Sequence, residues 1–325
     1  MRFSVIIPLY NKAPYVRKAI ESVLGQTYQE FELVIVDDGS TDNSAEIAQR
    51  CIDGKSNCKL QCQKNSGVSM ARNNGVAVSH GDYLCFLDAD DWWEPDFLEE
   101  MLNLIIEFPG AGIYGTNYTI VNETKRKTTV AAIGVEQGFE KGYINYCQVY
   151  AKTLTMPLWT GAVCMSRTVF DEMGGFPIGI KLGEDFLLWI RVALKYKVAY
   201  LNKALSCYNQ DVDMLNRGVK SKGYTPNQFM TFSFDQFADY EKTNHDLKVL
   251  LDRIRVYSLL RFRLENAYHE RVNVEIKKVD FHNVGKRYWF YYKAPYFMVW
   301  VCFQIKMLLS FIKSCIYEKS AKKNI

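Results

Sequence analysis

The sequence places three aspartates, Asp88, Asp90 and Asp91, directly after the apolar run 83–87. Aromatic and aliphatic residues in such a run, following the turn residue Gly81, are typical of a buried strand. The carboxylates would therefore lie at the carboxyl end of a strand, where open α/β sheets bind their ligands. Carboxylates this close together repel one another unless positive charge neutralises them. The spacing therefore indicates a cation or a cationic ligand.

Asp88 and Asp90 are the candidates for holding that cation. With one residue between them, their side chains share a side of an extended chain, and the small Ala89 lets the backbone approach a ligand. Carboxylate oxygens suit Mg²⁺ or Mn²⁺, whose coordination phosphate oxygens and water complete. No His or Cys occurs over 86–95, which argues against zinc.

A second strand end carries further acids. Asp37 and Asp38 close the apolar run that begins at Phe31, and an acid there can accept hydrogen bonds from a base N–H or a ribose hydroxyl. The simpler alternative is a strand-to-helix turn with Asp42 or Ser44 as the helix N-cap. The turn after Asp38 has no GxGxxG pattern, which disfavours a dinucleotide-binding fold.

The stretch 64–75, which contains Lys64 and Arg72, begins as a loop and continues with the apolar spacing of a helix. A single Lys or Arg in such a place is usually a surface charge. This loop, however, leaves a third strand at the same sheet edge, where a helix N-terminus and fixed cations suit a diphosphate.

Glu184 and Asp185 precede the helical pattern that ends at 197. Two acids in a first turn can simply compensate the helix dipole. Alternatively, one of them is a general base, because an alcohol is a poor nucleophile until a positioned group draws off its proton.

The elements that must position these residues alternate between strand and helix. Apolar runs occur at 3–10, 31–38, 58–63 and 83–90, and stretches with helical spacing follow at 14–26, 42–51, 69–79 and 95–108. Four such units predict an open, mainly parallel sheet with right-handed crossovers. Strand patterns at 110–121, 127–133 and 158–167, followed by the helical stretch at 184–197, predict a mixed second half.

Composition limits the class of protein. The chain has 325 residues, 48% of them hydrophobic, which predicts a globular protein with one large core and an appendage. Its net charge is +4, but residues 242–325 carry 17 Lys and Arg against 7 Asp and Glu, or +10, which leaves −6 for residues 1–241. Nine cysteines without a CxxC pair and an N-terminus without a signal h-region predict a cytosolic chain with reduced thiols.

The order of these motifs resembles a family 2 glycosyltransferase of the GT-A fold over roughly residues 1–210. The stretches that carry the resemblance are VIIPLYN, VDDGSTD, KNSGVSMARNNG, FLDADD and LGEDFLLWIR. The resemblance implies an α/β fold with a Rossmann-like open mixed sheet and a nucleotide-sugar donor. It also implies Mn²⁺ or Mg²⁺ on the donor's diphosphate, and inversion at the anomeric centre.

The resemblance further implies roles for individual residues. The nucleotide pocket would be lined by Pro8, Tyr10, Asn11, Asp38, Lys64 and Arg72. Asp90 would be the main metal ligand, Asp88 would face the ribose or the metal, and Asp91 would support them from the helix side. Asp185 would take the acceptor's proton, with Glu184 orienting it or helping to bind the acceptor.

Two details are open. Many relatives place a Tyr-Arg-x-His stretch after the acid-pair helix, whereas this chain has CYNQDVD at 207–213, so that Asn209, Gln210 or Arg217 would have to supply any donor contact from that strand. Trp159 and Trp189 could stack on sugar faces, although Trp is more often a core residue.

The C-terminal region is basic and partly apolar. The 18 residues from Pro295 to Ile312 include one charged residue, Lys306, and many of the others are apolar or aromatic. This run is borderline for a span, and the pattern predicts a helix lying in a membrane interface. An amphipathic helix docked on the catalytic domain is the alternative.

The sequence therefore predicts a catalytic domain at 1–225, divided into a nucleotide-binding half at 1–108 and an acceptor half at 109–225, and a helical, basic C-terminal extension at 226–325. The predicted activity is metal-dependent transfer of a sugar from a UDP-linked donor to a saccharide or lipid-linked saccharide at the inner face of the cell membrane. We expect no nucleic-acid partner. The alternatives are a nucleotidyltransferase and a non-catalytic nucleotide-sugar-binding module.

Overall fold

The computed structural model describes residues 1–122, 124, 127–212, 225–265 and 267–305. The chain forms two compact units, Met1–Gln236 and Phe237–Ile325. The first unit extends beyond 225 because the residues that follow pack on the segment before Glu184. The N–H of Met230, for example, donates to the carbonyl of Leu182 at 3.1 Å.

The first half of this unit contains the four predicted strand–helix pairs. The strands are β1 (Phe3–Leu9), β2 (Phe31–Asp37), β3 (Cys58–Cys62) and β4 (Tyr83–Phe86). The helices are α1 (Val16–Leu24), α2 (Ser44–Ile52), α3 (Val68–Ala77) and α4 (Phe97–Glu107). The strands lie in the order β3–β2–β1–β4 and are parallel. Strands β1 and β2 are almost entirely buried, as their continuous apolar sequences predict.

The second half extends the sheet with mixed directions. Its strands are β5 (Trp92–Trp93), β6 (Ile113–Asn122), β7 (Lys127–Val130), β8 (Lys141–Ile144), β9 (Val163–Ser166) and β10 (Val198–Asn209). Its helices are α5 (Tyr146–Thr153), α6 (Arg167–Glu172) and α7 (Glu184–Lys195). Strand β9 pairs antiparallel with both β4 and β6, and β10 runs parallel to β6. The result is the open mixed sheet that the sequence predicts.

Parallel pairing gathers the candidate site residues. Leu9 of β1 lies opposite Asp37 of β2, and Ile6 of β1 lies opposite Phe86 of β4. The residues that follow these strands therefore meet at one edge of the sheet.

Helix α3 lies unusually close to β1. A Cβ atom at Gly75 would lie 2.5 Å from Cγ2 of Ile6 and 3.2 Å from Cγ2 of Val36, so this position has room only for glycine. Arg72 lies three residues earlier and therefore on the same face of the helix. The close approach of α3 thus places a cation against the sheet.

The second unit is helical. Its helices are α8 (Ala238–Thr243), α9 (His245–Ser258), α10 (Leu260–Leu264), α11 (His269–Lys277) and α12 (Lys286–Lys293), and a further helix covers 296–305. The buried Arg255 donates to both carboxylate oxygens of Glu241, at 2.7 and 2.6 Å, and to Glu275 at 3.3 Å. This charge-paired centre ties α8, α9 and α11 together.

Among the described residues, no helix has the length and apolarity needed to cross a membrane. The apolar run predicted at 295–312 is described only as far as 305, and its remaining residues lie outside the described ranges.

Candidate active site

Two of the three acids after β4 each contact a cation. Oδ1 of Asp88 accepts a hydrogen bond from Nη2 of Arg72 at 2.7 Å. Oδ2 of Asp90 accepts one from Nζ of Lys12 at 2.5 Å. Two of the three acids that the sequence places at this strand end are therefore paired with basic side chains.

The third acid, Asp91, faces the protein interior and is 2% exposed. Its carboxylate accepts hydrogen bonds from the backbone N–H of Asn209 at 2.9 Å and from the indole N–H of Trp159 at 3.3 Å. Asp91 thus fixes the strand end of β10 and the loop before β9 against the turn that carries Asp88 and Asp90.

Arg72 connects this turn to the acid pair of α7. Its guanidinium is 3% exposed and also donates from Nη1 to Oε1 of Glu184 at 2.9 Å. The guanidinium carbon lies 5.0 Å from the ring centroid of Phe176. Arg72 is therefore a buried bridge between Asp88 and Glu184, two carboxylates 96 residues apart in sequence.

Burial and mutual repulsion dominate the electrostatics of these acids. Burial and the neighbouring Asp88 raise the pKa of Asp90, although Lys12 opposes the shift. Burial, Asp90 and Asp88 together raise the pKa of Asp91 well above its ordinary value. Burial and Asp185 raise the pKa of Glu184 to about 7, against the opposing effect of Arg72. The site therefore holds more negative charge than its own cations balance.

Asp185 lies beside Glu184 at the start of α7. Oδ2 of Asp185 accepts a hydrogen bond from the hydroxyl of Thr160 at 2.7 Å, and Oδ1 accepts one from the N–H of Phe186 at 2.7 Å. The preceding Gly183 has a φ of +84°, and a Cβ there would collide with Met230. The turn before α7 thus requires glycine, which sets the direction of both acids.

Asp38 lies at the end of β2 and organises the loop before α3. Its carboxylate accepts hydrogen bonds from the side-chain amide of Gln63 at 2.7 Å and from the N–H groups of Ser66 and Gly67 at 2.7 and 2.8 Å. Asp38 therefore holds the entry to the helix that carries Arg72.

The other predicted nucleotide-pocket residues lie at the same edge. Pro8 is in β1, and Tyr10, which follows β1, is 46% exposed. Asn11 has a φ of +50°, and its side-chain oxygen accepts a hydrogen bond from the N–H of Thr41 at 2.8 Å. Lys64 is exposed in the loop before α3.

The two tryptophans have different environments. Trp189 is fully buried in the core beside Phe176, so it cannot stack on a sugar. Trp159 is partly exposed and packs against Tyr208, with 4.3 Å between the ring centroids, and against Tyr118. These three rings form an aromatic group beside the acids.

The stretch that departs from the Tyr-Arg-x-His pattern reaches the acid cluster through a backbone group. Asn209 reaches the acid cluster through the N–H that donates to Asp91. The N–H of Gln210 donates to the carbonyl of Val121 at 2.8 Å. Arg217 lies outside the described residues.

Sequence reasoning missed Lys12 and Thr160. Lys12 follows the predicted motif VIIPLYN by one residue, and Thr160 stands in a short loop turn. Their contacts with Asp90 and Asp185 join residues 78 and 25 positions apart. No local spacing rule connects such pairs, and so only the tertiary structure reveals them.

Comparison with known proteins identifies the family. Residues 4–174 match the profile described as Glycosyl transferase family 2, and the chain belongs to this family. It is 34% identical over 282 residues to the glycosyltransferase GlyG of Streptococcus pneumoniae, which covers 84% of this chain and 91% of GlyG. It is 36% identical over 224 residues to GlyA of the same organism, but this match covers 66% of the chain and only 32% of GlyA. The chain thus spans about a third of the length of GlyA.

The fold has a counterpart among solved structures. The crystal structure of Staphylococcus aureus TarS residues 1–349 in complex with UDP-GlcNAc superposes with a TM-score of 0.69, covering 87% of this chain and 83% of that one, at 22% identity. The predicted GT-A fold is therefore confirmed.

We predict that Arg72→Met lowers the free energy of unfolding by about 3–5 kcal/mol, because it leaves buried carboxylates without their cation. Urea unfolding followed by tryptophan fluorescence measures the change. Adding Glu184→Gln to Arg72→Met should recover part of the loss.

The exposed Arg50, whose side chain is 69% exposed, provides the matched control. Arg50→Met should change the free energy of unfolding by no more than about 0.5 kcal/mol. Wild-type stability of Arg72→Met would contradict the structural role and favour direct contact with a ligand.

Proposed function

We propose that this chain is a metal-dependent, inverting glycosyltransferase that moves a sugar from a UDP-linked donor to a saccharide or lipid-linked saccharide acceptor. The observation that carries the proposal is the Arg72 bridge, which brings the acid after β4 and the acid pair of α7 into one network. Transfer requires the donor's anomeric carbon and the acceptor's hydroxyl to meet at about 3–3.5 Å. The acids proposed for the donor's cation, Asp88 and Asp90, and the acid proposed for the acceptor, Asp185, belong to this one network.

The nucleotide would lie along the edge formed by the ends of β1, β2 and β4. Asp38, with three donors already bound, retains lone-pair capacity for a base N–H. Pro8, Tyr10, Asn11 and Lys64 would line the same groove. Uridine is proposed as the nucleoside because TarS, whose fold resembles this one, is described in complex with UDP-GlcNAc.

The acids after β4 fit a hard divalent cation. Asp90 would be its main ligand and Asp88 would face it or the ribose, with phosphate oxygens and water completing the coordination of Mn²⁺ or Mg²⁺. Within the described ranges no group of three or more His, Cys, Asp or Glu side chains is arranged to hold a metal, so the donor's phosphate oxygens would have to supply ligands to the proposed cation. Such a cation stabilises the negative charge that develops on the departing diphosphate.

Asp185 is proposed as the general base. Its Oδ2 contacts the hydroxyl of Thr160 and it is more exposed than the neighbouring Glu184. Glu184 is paired with Arg72, so its proposed role is to orient the acid pair. In a single displacement, the acceptor's oxygen forms the new bond as the diphosphate leaves, Asp185 takes the proton, and the anomeric configuration inverts.

Measuring UDP release from a panel of UDP-sugars, with and without an acceptor and Mn²⁺, tests the proposal. Proton NMR of the product gives its anomeric configuration. Retention of configuration would contradict a single displacement, and nucleotide-sugar binding without any release would favour the non-catalytic alternative.

We expect Asp90→Ala to abolish transfer while the chain remains folded, because the diphosphate loses its cation and the residue lies at a sheet edge. UDP release and circular dichroism measure the two effects. Asp171→Ala, which removes an exposed aspartate from α6, should leave turnover unchanged. Full wild-type turnover in excess EDTA would refute the metal dependence.

We expect Asp185→Asn to lower the transfer rate by about 10²-fold or more while UDP affinity is retained, the usual order for the loss of a general base. Single-turnover kinetics and calorimetric UDP binding separate the two quantities. Equal losses of affinity and rate would place Asp185 in the donor site. If Glu184→Gln alone removes the activity, Glu184 is the base instead.

We also propose that the C-terminal helices attach the enzyme to the cytosolic face of a membrane, where lipid-linked acceptors occur. Five large apolar side chains of α12 and the helix 296–305 are between 41% and 71% exposed: Trp289, Phe297, Met298, Trp300 and Ile305. Basic residues Lys286, Arg287 and Lys293 lie nearby in sequence. Basic residues near an anionic surface contribute about 1 kcal/mol each, and aromatic side chains add apolar burial.

We expect the full chain to sediment with vesicles containing phosphatidylserine at low salt and to be partly released by high salt. The double variant Phe297→Ser, Trp300→Ser should bind several-fold less, whereas Ile106→Ser, which removes a 64% exposed apolar side chain from α4, should bind as the wild type does. A full chain that stays in the supernatant would refute attachment. Release only by detergent would favour a membrane span.

A further inference from the structure

Lys12 and Asp90 link the loop after β1 to the acids after β4. The Nζ–Oδ2 distance is 2.5 Å, and the two side chains are only 12% and 18% exposed. The backbone of Lys12 is fixed separately, because its N–H donates to the hydroxyl of Ser44 at 2.7 Å. The lysine is thus anchored through its backbone N–H, and it carries its ammonium on a flexible four-carbon stem.

This ion pair occupies Oδ2 of Asp90, the residue proposed as the main ligand of the divalent cation. An ammonium and a divalent cation repel each other, so the ammonium on Oδ2 of Asp90 weakens the binding of a cation to the same carboxylate. Without either of them, Asp90 would lie partly buried beside Asp88 and Asp91 with its charge unbalanced. A donor diphosphate, in turn, brings negative charge that a displaced ammonium can pair with.

We propose that the ammonium of Lys12 pairs with Asp90 as long as no divalent cation is bound there. When the cation binds Asp90, the ammonium moves to the donor's diphosphate and pairs with it instead. The inference rests on the proposed function for the cation and the donor, and it adds Lys12 as a residue that couples their binding. Lys12 competes with the cation when no donor is present and assists the donor once the cation is bound.

The competition has a measurable size. If the ion pair holds Asp90 in about nine-tenths of the molecules, the apparent affinity for the cation is reduced about tenfold. Removing the ammonium should therefore raise the apparent affinity for the cation about tenfold. The loss of a charge-assisted contact to phosphate should lower the affinity for the donor by about tenfold or more.

The test uses the full chain, with Mn²⁺ alone as the first probe and UDP as the second. In Lys12→Met, we expect Mn²⁺ binding without nucleotide, measured by electron paramagnetic resonance of the free ion, to tighten about tenfold. At saturating Mn²⁺, we expect calorimetric UDP binding to weaken about tenfold. A residue that merely supported the fold would not change the two affinities in opposite directions.

Lys18→Met is the matched control, because Lys18 is an exposed lysine of α1 that lies over the ring of Trp92. It removes the same charge and should change neither affinity. If Lys18→Met tightens Mn²⁺ binding as much as Lys12→Met does, the effect comes from the overall charge of the protein, and the inference is overturned. Unchanged Mn²⁺ affinity or unchanged UDP affinity in Lys12→Met overturns it as well.

The outcome also separates this inference from the proposed function. If wild-type enzyme needs Mn²⁺ for transfer but Lys12→Met binds it no more tightly, only the exchange by Lys12 is refuted. If neither protein binds Mn²⁺ in a way that Asp90→Ala removes, the metal role of the acids fails, and the exchange fails with it.

Discussion

The buried guanidinium of Arg72 is the interaction on which the site depends. It bonds to Asp88 after β4 and to Glu184 at the start of α7, so one charge holds together acids supplied by the two halves of the sheet. Such a bridge is costly to desolvate, and it persists only where both carboxylates are positioned to accept. The rigid approach of α3, which requires Gly75, provides that position.

Two further acids, Asp38 and Asp91, fix the loops that surround the Arg72 bridge. Asp38 holds the loop that leads into α3, and Asp91 holds the ends of β10 and of the Trp159 loop. Asp38 is predicted to line the nucleotide pocket and Asp91 to support the metal-binding acids from the helix side, and the structure shows each accepting several hydrogen bonds from the protein itself. Acids with such partners keep the groove in shape before any ligand arrives, which reduces the ordering that binding requires.

The charge balance explains why the site suits an ionic donor. Of the three acids after β4 and the two at the start of α7, Asp88 and Glu184 pair with Arg72 and Asp90 pairs with Lys12. Burial raises the pKa of Asp90, Asp91 and Glu184. A divalent cation supplies positive charge to such a cluster, and a diphosphate accepts the basic side chains that the cation displaces. The same logic links the proposed metal role of Asp90 to the proposed movement of Lys12.

The sequence by itself determined the strand–helix order, the family and the strand ends that carry acids, because apolar periodicity and short motifs are local properties. It did not reveal that Arg72 is buried between two carboxylates, that Lys12 pairs with Asp90, or that residues 226–236 support the turn before Glu184. Trp189 likewise belongs to the core, whereas Trp159 lies beside the acids. These facts depend on contacts between residues far apart in the chain, and only the tertiary fold brings such residues within reach of one another.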